Sequence, residues 1–352
     1  MRSPELLWPD ARAAVREAAA SDPAAAVTAT PMPWERHLRA AALASVAMAV
    51  PERVVTNATV AEHAGVTEQW ILHRTGVHER RHVATGERLQ DLAARAGRRA
   101  LEDANVAPAD VDLVLLATVA PDELLPNAAP LVARELGATR AGAMDIGAAC
   151  TGFLSALELA AAQVESRRCD NVLVIGAEVL SRFVDPADRG TAALFSDGAG
   201  ATVVTSSADG KGAIGRIVLR ADGAGRDAIR AGREEQIIRM QGHDTFKAAV
   251  QRMSEATLEA TRRAGVSLAD VDLFVFHQAN ARILAAVGER LGLDEAKVVN
   301  SIDRYGNTSS ATLPIALADA RERGLLGPGM TVLLAAFGAG FTWGAGVIEW
   351  AA

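Results

Sequence analysis

The chain has 352 residues, half of them hydrophobic, with 36 Lys and Arg against 43 Asp and Glu, for a formal net charge of −7. That length allows two domains of ordinary size or one large duplicated one, and the charge argues against general nucleic-acid binding. The apolar runs break within about ten residues, short of the ~20 that a membrane span requires, and the two cysteines, Cys150 and Cys169, make no disulfide framework, which fits a reducing, cytoplasmic setting.

Taken in chain order, the stretch MRSPELLWPDARAAVREAAASDPAAA lacks the apolar centre of a signal peptide. Residues 9–20 fit a short Ala-rich helix with Pro9 in its first turn, and 21–33, with three prolines, read as a linker. Residues 1–40 are therefore expected to be a loosely held extension. A helix is expected over 88–104, then a buried strand over 111–117. A strand over 142–147 runs into a helix starting near 151, and another strand follows over 172–178. The second half repeats the rhythm: helix 248–264, strand 271–276, a helix after Asn307, and strand 332–338. The strands are continuous runs of Val and Leu, as expected when both faces of a sheet are covered.

The repetition is visible in the letters. "ADVDL" begins at Ala109 and again at Ala269, 160 residues apart. The same offset relates VLVIGAE (172–178) to VLLAAFG (332–338), and CTGFLSALELA (150–160) to SATLPIALADA (310–320). Several echoes in one order indicate two copies of one α/β unit, expected at 41–210 and 211–352. Reactive groups should then lie at strand ends and helix starts where the halves meet.

Cys150 stands at such a place, between a strand and a helix. Free amides and the dipole at a helix start stabilise a thiolate, which predicts a thiol pKa below its usual ~8.5. Gly147, Ala148, Ala149 and Gly152 leave room beside the sulfur. His277 follows the strand of the second copy, and Asn307 sits in a Gly-containing turn before the counterpart helix. Alone, each residue is most simply structural: a buried cysteine, a histidine at a strand end, a turn-forming asparagine. The duplication brings all three toward one axis, and a Cys, a His and an Asn converging there would be chemistry.

The motifs WILHRTGVHERR (70–81), AACTGF, DPADRGT (185–191), FSDGAGA (195–201), MQGHDTFKAAV (240–250), HQAN (277–280), RYGNTS (304–309) and FGAGFTWGA (337–345) together resemble the β-ketoacyl-ACP synthase III family over about residues 41–352. The resemblance implies an α/β thiolase-like fold, two duplicated βαβαβαββ-type halves forming a five-layered αβαβα sandwich. It implies that Cys150 takes an acyl group from acyl-CoA as a thioester. His277 and Asn307 would then stabilise the enolate formed as malonyl-ACP loses CO2, and that enolate would attack the acyl-cysteine. The oxyanion hole would be the backbone N–H groups of Cys150 and Ala339; here the loop reads Gly338-Ala339-Gly340, and Ala339 serves if its φ is negative. No metal or permanently bound cofactor is required.

In the same resemblance Trp70 and Arg189 sandwich the adenine of CoA and Arg74 meets phosphate, with Arg282 and Lys247 at the tunnel mouth, near CoA phosphates or an acidic acyl carrier protein. Asn280 and the backbone of Gly242 would line the pantetheine channel, and Phe246 the acyl pocket. His243, where relatives often have Asn, has no role assigned. The loop 118–130 would cross a homodimer interface to wall the partner's acyl pocket. Leu125 there, in place of a bulkier Phe or Met, favours a longer or branched chain. Head-to-head acyl-condensing relatives carry Glu at that position, although Glu123 is two residues away. Segment 217–240, which adds to the pocket, looks shorter than in short-chain enzymes. Cys169 reads as structural. Two other readings share the fold: a natural-product acyltransferase or condensing enzyme with a different acceptor, and a non-catalytic partner subunit. The latter tend to lose the nucleophile, whereas all three reactive residues are present here.

Overall fold

The computed structural model describes residues 39–207 and 211–351; the expected helix 9–20 and linker 21–33 lie outside them. The first half runs β1 (Ala40–Leu43), β2 (Ala47–Ala49), β3 (Val54–Thr56), α1 (Asn57–Ala64), α2 (Glu68–Thr75), β4 (Glu79–Arg81), α3 (Leu89–Asp103), β5 (Leu113–Ala117), α4 (Ala128–Leu136), β6 (Gly142–Ile146), α5 (Gly152–Glu165), β7 (Asn171–Val179) and β8 (Asp197–Ser207). The second runs β9 (Val218–Ala221), β10 (Ile229–Ala231), β11 (Ile238–Met240), α6 (Gly242–Ala264), β12 (Leu273–Phe276), α7 (Ala281–Leu291), α8 (Ile302–Tyr305), α9 (Thr312–Glu322), β13 (Thr331–Gly338) and β14 (Thr342–Glu349).

One sheet has the order β1-β8-β7-β5-β6, with β2 also on β8; the other has β12-β13-β14-β9. β5 pairs in parallel with both β6 and β7, and β12 in parallel with β13, so the two halves share a strand–helix–strand centre. α5 and α9 fill the space between the sheets, where Phe153, Leu154, Leu157, Leu313, Ala316 and Leu317 are fully buried with side chains from β5, β7 and β13. α3 and α4 cover the outer face of the first sheet, and α6 and α7 that of the second. Among the described residues this gives five layers, the thiolase fold. Strands covered on both faces need no alternation of polar and apolar residues, which explains their unbroken Val and Leu.

Two turns that lead into central helices carry the duplication into the centre of the molecule. Both are single 3-10 turns, Ala149–Thr151 before α5 and Ser309–Ala311 before α9. Each opens on a non-glycine residue with positive φ, 46° at Ala149 and 47° at Ser309. Such a conformation is costly for a residue with a Cβ and persists only where the surroundings over-determine it.

Candidate active site

Cys150, His277 and Asn307 line one cavity of about 1490 Å³, together with Ser309, Gly338 and Ala339. His277 follows the last residue of β12, and its backbone N–H donates to Ala335 C=O at 2.8 Å. It is 1% exposed, and nothing charged compensates its burial, so its pKa falls to about 3 and the ring is neutral. Its Nδ1 lies 2.6 Å from Thr312 Oγ1. Asn307 is held by the first half: its N–H donates to Leu194 C=O at 2.8 Å and its C=O accepts from Ser196 N–H at 3.0 Å. Its Oδ1 accepts from Ser309 N–H at 2.9 Å, which leaves the Nδ2 donors for the cavity.

The loop after β13 closes the other side. A Cβ on Gly338 would lie 2.8 Å from the Cys150 nitrogen and 3.0 Å from its Cβ, so only glycine lets the turn approach this closely. The backbone N–H groups of Cys150 and Ala339 both act to lower the thiol pKa. Ala339 is not among the residues with positive φ, so the substitution in the glycine run leaves the amide in place.

The expected depressed thiol pKa is corrected. Burial raises Cys150 to about 11; hydrogen bonds from Ser309 and from the amides of Cys150 and Ala339 act against it, and the nearby Glu178 carboxylate adds to it. The α-helix proper begins at Gly152, after the 3-10 turn, and desolvation outweighs the local dipoles. The expected start of α6 is also corrected: it begins at Gly242, six residues before 248, which puts residues 242–250 of the MQGHDTFKAAV motif on the helix.

On the lining of the same cavity Arg189 lies 5.4 Å and Arg74 5.9 Å from the Trp70 ring centroid, so flat and cationic surfaces stand together. Gly242, Phe246, Lys247, Asn280 and Arg282 line the same cavity, as does His243. Arg282 packs over the Phe246 ring at 5.7 Å. Asn280 caps α7 by accepting from Arg282 N–H at 2.9 Å and donates to Arg74 C=O at 3.0 Å, so it also ties α7 to α2. Leu125 is not brought into this chain's own cavity: it is 83% exposed, whereas Glu123 and Leu124 line the wall and Glu123 pairs with Arg88.

Glu178, Ser309 and Thr312 were not singled out from the sequence. Glu178 is fully buried at the end of β7; it accepts from Ser310 Oγ at 2.9 Å, Val119 N–H at 3.1 Å and Thr118 Oγ1 at 3.3 Å. Desolvation raises its pKa to about 7 against these hydrogen bonds. The available signal was an acid closing the apolar run VLVIGAE.

A half-buried cysteine, an imidazole and a carboxamide on one cavity that Trp70, Arg74 and Arg189 also line define a thiolase-fold acyl-transferring condensing enzyme. Comparison with known proteins narrows this. Residues 144–223 match the family described as 3-oxoacyl-[acyl-carrier-protein (ACP)] synthase III, and 261–350 its C-terminal counterpart. The chain is 45% identical over 315 residues to a β-ketoacyl-[acyl-carrier-protein] synthase III of Nitratidesulfovibrio vulgaris, covering 85% of this chain and 96% of that one. It is 44% identical to β-ketoacyl-[acyl-carrier-protein] synthase III 2 of Streptomyces coelicolor, covering 88% and 94%. The solved 3-oxoacyl-[acyl-carrier-protein] synthase III of Aquifex aeolicus superposes with a TM-score of 0.85 at 40% identity, over 88% of this chain and all of that one. The priming β-ketosynthase of the R1128 polyketide pathway superposes with a TM-score of 0.86 at 36% identity, over 90% and 97%. The chain belongs to the β-ketoacyl-ACP synthase III family.

Proposed function

We propose that this chain takes an acyl group from acyl-CoA onto Cys150 and condenses it with malonyl-ACP to give a 3-ketoacyl-ACP, the first condensation of fatty-acid synthesis. The observation that carries the reading is the meeting of Cys150, His277 and Asn307 on one cavity that Ala339 also lines. In acyl transfer the Cys150 sulfur attacks the thioester carbonyl, the backbone amides of Cys150 and Ala339 hold the resulting oxyanion, and the thiol of CoA leaves with the proton the cysteine gives up. In condensation malonyl-ACP loses CO2. The oxygen of its enolate takes hydrogen bonds from His277 and Asn307, and its carbon displaces Cys150 from the acyl carbon. Donors without negative charge suit the negative charge that develops on this oxygen as CO2 leaves.

Trp70, Arg74 and Arg189 are assigned to the nucleotide of CoA, and Lys247 and Arg282 to phosphates or to the acyl carrier protein. Gly242 and Asn280 are assigned to the pantetheine channel, and Phe246 to the pocket lining. A homodimer is supported by Val119, Leu124, Leu125 and Met144, large apolar side chains left exposed near β6, the outer strand of its sheet. In such a dimer Leu125 would reach the partner's pocket. A division into halves near residue 210 is supported by β9, which joins the second sheet. A cytoplasmic site of action is supported by the two free cysteines; among the described residues no helix is long and apolar enough to cross a membrane. The R1128 relative supports a second reading, a condensing enzyme that primes a natural-product pathway.

The test is product formation from acyl-CoA primers of two to twelve carbons with malonyl-ACP. The expected result is 3-ketoacyl-ACP from at least one primer and none from Cys150→Ala. Acyl transfer without condensation would favour a different acceptor, and equal product from Cys150→Ala would remove the nucleophile assignment.

A further inference from the structure

Resting on the decarboxylation roles given above, we propose that Thr312 is the positioning residue that sets the tautomer of His277: its hydroxyl donates to Nδ1, so that the single ring proton stays on Nε2, facing the cavity. Thr312 Oγ1 stands 2.6 Å from His277 Nδ1 and 3.0 Å from Ser309 C=O. The hydroxyl has one proton and these are its two possible acceptors. The Ser309 carbonyl already accepts the Thr312 backbone N–H, which closes the 3-10 turn. That carbonyl therefore keeps a donor without the hydroxyl, whose proton can go to the other acceptor, Nδ1. Both residues are buried, His277 at 1% and Thr312 at 2% exposure, so no solvent competes for the proton.

The chemistry requires a choice between the two arrangements. A neutral imidazole carries one N–H, and burial keeps this one neutral. If Nδ1 held the proton, Nε2 would offer a lone pair to the cavity and would repel an enolate oxygen. With the Thr312 hydroxyl donating, Nε2 is the N–H. The same short turn orients the second donor, because Ser309 N–H takes Asn307 Oδ1 and turns Nδ2 outward. Residues 307–312 thus set both donors, one through a backbone amide and one through a hydroxyl.

The direct measurement is the ring nitrogen spectrum of the full chain labelled with ¹⁵N-histidine, with His277 assigned by its loss in His277→Ala. The expected result is a protonated, pyrrole-type Nε2 and a pyridine-type Nδ1; a protonated Nδ1 overturns the proposal. Thr312→Val, nearly isosteric, should lower CO2 release from malonyl-ACP ~30-fold and lower Cys150 acylation far less, with Thr312→Ser restoring decarboxylation. Undiminished CO2 release from Thr312→Val likewise overturns it, and if that variant does not fold the wild-type spectrum alone decides. Normal CO2 release from His277→Ala would instead remove the underlying role of the histidine, so the two failures are distinguishable.

Discussion

The turns at 149–151 and 309–311 occupy corresponding places in the two halves and have been put to opposite uses. In the first, Cys150 faces a cavity. The strand that approaches it from the other half ends in Gly338, and the place beyond β12 is held by His277. In the second, Ser310 stands where the offset of 160 residues puts the counterpart of Cys150. There β7 brings Glu178 where the first turn has Gly338, and β5 ends in Ala117 where the first turn has His277. Ser310 Oγ lies 2.8 Å from Ala117 C=O and 2.9 Å from the Glu178 carboxyl, and both Ser310 and Glu178 are buried. One frame thus yields a cavity-lining cysteine where the partner strand gives up its side chain, and a buried polar junction where it keeps one. The backbones already meet closely at both, since a Cβ on Gly176 would lie 2.5 Å from Ser310 C=O.

Putting a side chain back is the strongest way to break the contrast. Gly338→Ala sets a methyl 2.8 Å from the Cys150 nitrogen, so the turn must move and the Ala339 amide with it. Acyl transfer should fall by about 100-fold, the scale of losing one oxyanion donor, read as the single-turnover rate of acyl-enzyme formation. An unchanged rate would mean that this close approach is not needed.

The second junction can be tested through pH. Glu178 is raised from 4.5 to about 7 in the folded chain. Between those values the unfolded chain has lost the proton and the folded chain has kept it, so the group's contribution to stability is lost as pH rises through the window. Glu178→Gln does not titrate. Its stability relative to the parent should therefore improve between pH 5 and pH 8 by roughly 2.5 kcal/mol, measured by urea unfolding at both values. An equal difference at the two pH values would mean that Glu178 keeps an ordinary carboxylate pKa.

Much of this was legible in the sequence because the duplication has a constant offset. ADVDL at 109 and 269 fixed corresponding strands, and Cys150, His277 and Asn307 then fell at strand ends and helix starts that had to meet. What could not be read depended on distance and dielectric. A helix-start rule predicted an acidic thiol at Cys150, but burial of the sulfur beside Glu178 decides the sign, and the letters around position 150 carry neither fact. The start of α6 at Gly242 was missed because MQGHD has no apolar periodicity; Asp244 in the first turn, favourable at a positive helix end, was the available cue. The direction of Leu125 was legible only as a family expectation, since an exposed leucine on one chain finds its surroundings on another.

The two cysteines permit the most direct test of the central claim. Cys150 lies on the cavity, whereas Cys169 packs beside the central core and its carbonyl accepts from Arg39 at 2.6 Å. Brief exposure of the full chain to acyl-CoA, followed by acid quench and peptide mass mapping, should find the acyl mass on the peptide holding Cys150 and none on that holding Cys169. Acylation at Cys169, or at both alike, would contradict the account.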